Sequence, residues 1–418
     1  MRLSHFESEF DKIINRTHFS HEVKSMRKDA FSKFLDIGLP TQKWEDWRFT
    51  NLSYLKNESF RISDSQDVPL SILDISPYEI NGVETIIVYN GHYQEEISSV
   101  PKGVQLMSGI EYFEQKNGEL ESAECSPFDL LNTAFMDSGM CFVVEPNTVV
   151  ETPVRILFIS NGENSIMVNP RIYVDVEEST TLTFIENHVG DATSFFQNKS
   201  VFLSLGQNSF VDHVRIQSNS TGTLNIDNLH VHQETDSHYS FFQFAVGSQL
   251  GRTNIHCKLK GRGSECDLNG LTLLDDENHS DINIKVNHIA PNCQSNQSFK
   301  SILRDDSSGV FNGRTIVSKG AQKTDAKQTN KNLLLSKKAV MNSIPQLEIK
   351  ADDVKCAHAS ATGALDEEAL FYLRSRGLDI QSSKALMIRG FALEELELVK
   401  NKNIFDYLIN LFQSWLKS

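Results

Sequence analysis

The 418-residue chain is poor in the features that mark membrane, nucleic-acid and metal-finger proteins. No run approaches the ~18 consecutive apolar residues of a membrane-spanning helix. The first ten residues, Met1 to Phe10, hold acids where a secretory leader has its apolar stretch, so the chain is expected to stay in the cytoplasm. Basic residues are scarce. There are 40 Lys and Arg against 55 Asp and Glu, a net charge of −15. Nucleic-acid binders carry a basic face, so this balance speaks against such a partner. The six cysteines (125, 141, 257, 266, 293 and 356) form no C-x-x-C pair, which excludes the usual zinc-ribbon and ferredoxin spacings. Their even number argues little for disulfides in a cytosolic chain.

Nucleotide and hydrolase motifs are also missing. Gly309-Val-Phe-Asn-Gly313-Arg-Thr315 has the wrong glycine spacing for a phosphate loop and Arg in place of Lys, so the chain is expected to bind no nucleotide. Neither a G-x-G-x-x-G turn nor a G-x-S-x-G elbow occurs.

What is present divides the chain into three stretches. Residues 1–140 read as helical, then mixed. Phe6, Phe10, Ile13 and Ile14 lie at helical spacing, as do Val23, Met26, Ala30 and Phe34. Gly38-Leu-Pro40 should close the second helix. Thr85 to Tyr89 reads as a buried strand before an Asn90-Gly91 turn, and Glu111 to Glu121 as a surface helix. Residues 141–350 are almost all short period-2 strands. Ile172, Val174 and Val176 alternate with polar or aromatic neighbours, and so do Ile255, Cys257, Leu259 and Ile282, Ile284, Val286. Such a succession fits a long sandwich or a β-solenoid, and no strict repeat chooses between them. Residues 351–418 return to helix. Asp366 is a good N-cap, with Leu365 and Leu370 as a hydrophobic staple. That helix should stop at Gly377, and a second should run from Ser382 or Ser383 to about Lys400. Ile404, Tyr407, Leu408, Leu411, Phe412, Trp415 and Leu416 form one apolar stripe on the last helix. The stripe suits packing on the chain's own β-region, or a partner surface with Trp415 at its tip.

Few residues promise chemistry. Asp275-Asp276, Asp305-Asp306 and Asp352-Asp353 read as turn residues, since neighbours on a strand point to opposite faces. His230 and His232 share a strand face opposite Leu229 and Val231, and so should face solvent. Cys257 reads as core, and Cys266 and Cys293 as structural. Cys356-Ala-His358 differs. On an extended segment the thiol and imidazole share a side, and as soft and borderline ligands they could hold iron or a cluster edge. Lys355 could lower the thiol pKa. A structural role for both is the plainer alternative.

Two separated motifs then carry a resemblance. Pro40-Thr41, Glu45, Trp47-Arg48-Phe49-Thr50 lie near the N-terminus. Asn332 to Leu335, Pro345 to Ile349, Asp352 to His358 and Leu365 to Gly377 lie near the other end. Together they resemble the SufBD family of the SUF iron–sulfur cluster assembly system, over essentially the whole chain. The Cys-x-His in place of Glu-His points to its SufD branch. Ala357 and Ala359 stand where the family commonly has Ser and Gly.

The resemblance implies a mainly β protein: a right-handed parallel β-helix core flanked by N-terminal and C-terminal helical regions. It implies a non-ATPase scaffold in a complex with a SufB-like subunit and a SufC-like ATPase. A transient iron–sulfur cluster or iron would be shared with SufB, with reduced flavin (FADH2) on the complex. His358, and less strongly Cys356, would be ligands. Leu370, Phe371, Leu386, Phe391, Tyr407, Leu411, Phe412 and Trp415 would face the ATPase. The isolated chain could pair with itself through an exposed solenoid edge. A purely structural docking subunit is the alternative. A β-helix polysaccharide enzyme is a third reading, disfavoured by the lack of a leader and of a carboxylate cluster.

Overall fold

The computed structural model describes residues 4–14, 19–64, 67–68, 74–115, 126–137 and 139–418. From residue 140 to 363 the chain winds through about eight turns of a parallel β-solenoid. It steps back and forth between two sheets, so each strand pairs with the next but one. The first sheet runs from Met140–Val144 through Phe195–Leu205 and Leu250–Leu259 to Val340–Ile349. The second runs from Glu84–Tyr89 through Thr181–Val189 and Gln294–Leu303 to Lys355–Gly363. This settles the choice between sandwich and solenoid.

The period-2 pattern builds the interior. Ile172, Val174, Val176, Ile255, Cys257, Leu259, Ile282, Ile284 and Val286 all enter one continuous core between the sheets, as expected. Each fully buried aliphatic side chain there contributes about 1.5–3 kcal/mol. A repeat does exist, though it is imperfect. Ser165 bonds Ser194, Ser264 bonds Cys293 and His279 bonds Ser308, each 29 residues apart. Elsewhere the step changes, since Leu224 faces Leu250 but Gln294 faces Asp325. Turns of unequal length blur the period.

Helices cover both outer faces. In chain order they are α1 (Ser4–Ile14), α2 (His21–Ile37), α3 (Ser53–Asn57), α4 (Gly109–Gln115), α5 (Pro127–Phe135), α6 (Glu367–Ser375), α7 (Ile380–Leu396) and α8 (Lys402–Lys417). Phe6, Phe34, Phe128 and Phe135 of α1, α2 and α5 pack with Phe196, Leu224, Ile226 and Leu250 on the first sheet. On the second sheet, Ile388, Ala392 and Leu396 of α7 join Ile404, Leu408, Phe412 and Trp415 of α8 against Phe244, Leu271, Leu273 and Ile302.

Several local expectations hold. Gly38 ends α2 at φ 72°, and Asn90 and Gly91 take φ 45° and 86° in a tight hairpin between Glu84–Tyr89 and His92–Tyr93. Asp366 caps α6, and Gly377 follows it at φ 95°. The acidic pairs sit in turns, where Asp275 meets Arg304 at 2.9 Å and Asp306 meets Lys338 at 2.9 Å. Others differ. Strand order does not end at Ile349 but resumes at Lys355–Gly363, whose small residues pair with Asp325–Leu334. Helix α7 begins two or three residues earlier than expected because Asp379 caps it, and it ends at Leu396. The described part of the Glu111 helix is Gly109–Gln115; its remainder and Cys125 lie outside the described residues.

Candidate functional site: the open mouth of the solenoid

The strands Val340–Ile349 and Lys355–Gly363 are the terminal members of their sheets. Among the described residues nothing pairs beyond them. Their outer rows of backbone N–H and C=O groups form two parallel open edges, each nine or ten residues long. The Ser360 and Ser343 hydroxyls bond across the gap at 2.8 Å. That bond fixes the inward parity of the last turn. Ser360, His358 and Cys356 share one strand face, so all three point into the mouth.

Within the mouth the two expected ligands differ. Cys356 is half-buried beside Val317, Ala321, Ala351 and Val354. Burial, and next the charge of Asp325, push its thiol pKa up. This corrects the expectation that Lys355 would lower it: Lys355 lies on the opposite strand face, and desolvation dominates. His358 is exposed. Two donors on one strand face stand ~6.6 Å apart along the chain. They cannot complete a tetrahedral site alone, and no group of three His, Cys, Asp or Glu able to hold a metal forms among the described residues. Any iron here would need further donors from whatever covers the mouth. No glycine-rich strand-to-helix turn of the dinucleotide type forms among the described residues.

The residues expected to face an ATPase split into two groups. Phe412 and Trp415 are buried on the chain's own second sheet, with Arg304 stacked 4.6 Å from the Trp415 ring. Tyr407 accepts a hydrogen bond from Asn187 at 3.3 Å. Leu411 and Phe391 pack against the same cluster, and Leu370 is buried. Phe371, at 73% exposure, and Leu386 face outward instead. Tyr372 and Leu378 join them, and sequence reading had passed over both. Tyr372 directly follows Phe371 on a short helix that buries only Leu370, which was the available signal.

The N-terminal motif is a clasp. Trp47 stacks on Arg252 at 3.8 Å, and Arg252 donates to the Asp46 carbonyl at 2.8 Å and to Asp281. Thr50 donates to Asp281 and lies 3.1 Å from His279. His230 is not solvent-facing as expected. Helix α5 covers that sheet face, and His230 lies against Asp129 at 3.1 Å and stacks on Phe202. His232 is partly covered, and burial, then Lys260, lower its pKa to about 3. Cys141, Cys257, Cys266 and Cys293 are all buried, and none is in a disulfide.

The sequence that builds this architecture has counterparts among known families. The family description "SUF system FeS cluster assembly, SufBD core domain" matches residues 158–391, and "SufBD protein N-terminal region" matches residues 3–156. The chain therefore belongs to the SufBD family of iron–sulfur cluster assembly proteins. Its relatives include the iron–sulfur cluster assembly protein SufD of Escherichia coli, 28% identical over 89% of this chain and 88% of that protein. A SufBD family protein of Synechocystis is 29% identical over 89% of this chain and 86% of its own length. Protein ABCI7, chloroplastic, of Arabidopsis thaliana is 27% identical over 97% of this chain and 88% of its own length.

Proposed function

We propose that this chain is a non-catalytic scaffold subunit of the SufD type. Its open solenoid end pairs with a SufB-like subunit, and the seam between them receives iron and sulfide as the cluster's building blocks. One observation carries the reading: Cys356 and His358 face the mouth between two unpaired strand edges. Edge pairing would extend both sheets into the partner and bring its donors over the mouth. His358 is the stronger ligand. The half-buried Cys356, with its raised thiol pKa, contributes mainly packing until the seam forms.

The exposed Phe371, Tyr372, Leu378 and Leu386 on and around α6 and α7 are the proposed docking patch for a SufC-like ATPase. The buried stripe of α8 anchors that helical unit to the solenoid and so couples it to the mouth through the second sheet. Without a SufB-like partner, the same edges support pairing of two copies of this chain.

The test is complementation of a strain lacking the subunit with His358→Ala, with the complex confirmed intact by co-purification. Cluster assembly is expected to fall at least about tenfold, the order of effect of losing a metal ligand or its support. Full assembly in an intact complex would reduce the chain to a docking scaffold.

A further inference from the structure

Over its last five turns the interior of the solenoid changes character toward the mouth. One inward column of the second sheet reads, turn by turn, Phe241, Leu268, Gln297, Gln328, His358. The facing column of the first sheet reads Cys257, Val286, Thr315, Leu347. Apolar side chains thus give way to two amides and a hydroxyl in the two turns below His358. The three are linked. Gln297 and Gln328 donate to the Thr315 hydroxyl at 3.1 and 2.8 Å. All three are at least 98% buried.

Packing does not ask for amides here, because a buried polar group costs free energy wherever its hydrogen bonds are incomplete. They are incomplete: the side-chain carbonyl oxygens of Gln297 and Gln328 are buried without a partner. Gln328 is the ladder neighbour of His358, one strand below it on the same inward face. Strands in a sheet are ~4.8 Å apart, so the two side chains stack directly. A neutral imidazole has one N–H and one lone pair, and the bond made by one nitrogen decides what the other offers.

We propose that Gln328 is a positioning residue for His358: the exposed imidazole turns so that its N–H reaches the free Gln328 carbonyl oxygen from above, and the other ring nitrogen presents its lone pair to the mouth. Thr315 and Gln297 hold the Gln328 amide in place. The use of that lone pair rests on the reading of His358 as a ligand; the hydrogen bond does not.

The test uses the full-length chain labelled with ¹⁵N-histidine, reading the His358 tautomer by NMR above the imidazole titration range. One tautomer is expected in about tenfold excess, falling to about twofold or less in Gln328→Leu, the order a single hydrogen bond commands. Gln328→Glu, which keeps an acceptor, should restore the excess. Thr315→Val should give an intermediate ratio, and it carries the test if Gln328→Leu does not fold. A tautomer ratio unchanged by removing either side chain, or failure of Gln328→Glu to restore it, overturns the inference. If the tautomer results hold while His358→Ala assembles clusters normally, the ligand reading fails and the hydrogen bond stands.

Discussion

The two ends of the solenoid are built on opposite plans. At the first end, short antiparallel strands close the sheets. Gln105–Ser108 runs against Met140–Val144, and His92–Tyr93 against Glu84–Tyr89. Such short, reversed edges offer little to an incoming strand. At the other end, two long parallel edges stay open, with small residues at Ala357, Ala359 and Ala361. The interiors differ as well. The early turns hold a sealed ionic cluster in which Lys199 bonds Glu186 and lies 2.9 Å from His188 and 3.3 Å from Asp227. His213 meets Glu186 at 3.0 Å, and Arg215 bonds Asp227. Among the described residues, the interior of the last two turns holds no such charged cluster. One end spends its polar groups on itself, and the other leaves them available.

Substitutions at the two ends should separate stability from association. The largest effect is expected in the ionic cluster. Burial raises the Glu186 pKa, but Lys199 and His213 overcome it and hold the carboxyl well below its usual range. Glu186→Ala leaves Lys199 and Arg215 to share the single buried charge of Asp227 and should cost about 3–5 kcal/mol, read as a lower urea midpoint. At the open end, Ala359→Lys should leave that midpoint within about 0.5 kcal/mol of wild type. It should weaken association with a SufB-like partner about a hundredfold, because an edge lysine blocks strand pairing. If Ala359→Lys unfolds the chain, or leaves association untouched, the contrast between the ends fails.

A smaller effect concerns the seam between α7 and the second sheet. Glu395 is buried there, one carboxyl oxygen accepting from Ser298 at 3.2 Å and the other unpaired. Lys300 stands 4.0 Å away and is already bonded to Glu394, with Lys331 also on Glu394. Burial raises the Glu395 pKa to about 7. The folded chain therefore keeps a proton that the unfolded chain has released between about pH 4.5 and 7. Stability should fall as pH rises through that window and level off above it. Glu395→Gln should flatten the dependence and add about 2 kcal/mol at pH 8 relative to wild type, from urea midpoints at pH 5 and 8. An unchanged pH slope in the variant would mean that Glu395 does not control the seam.

Local chemistry was enough for much of this. Alternation in stretches such as Ile282 to Val286 marked strands, and Asp366 and Gly377 marked the limits of a helix. These signals depend on residues a few positions apart, so they survive without knowledge of the fold. The ionic cluster, the Trp47 clasp on Arg252, the burial of His230 under α5 and the polar floor below His358 left no such trace. Their contacts join residues from 11 positions apart, as in His188 and Lys199, to about two hundred, as in Trp47 and Arg252, through a register that varies between turns. From its sequence alone this protein was committed to a strand-rich core with helical flanks and a thiol–imidazole pair near the far end. Only stacking of the turns decided that the pair looks into an open mouth, because neighbours across a parallel ladder are set by tertiary register and not by sequence spacing.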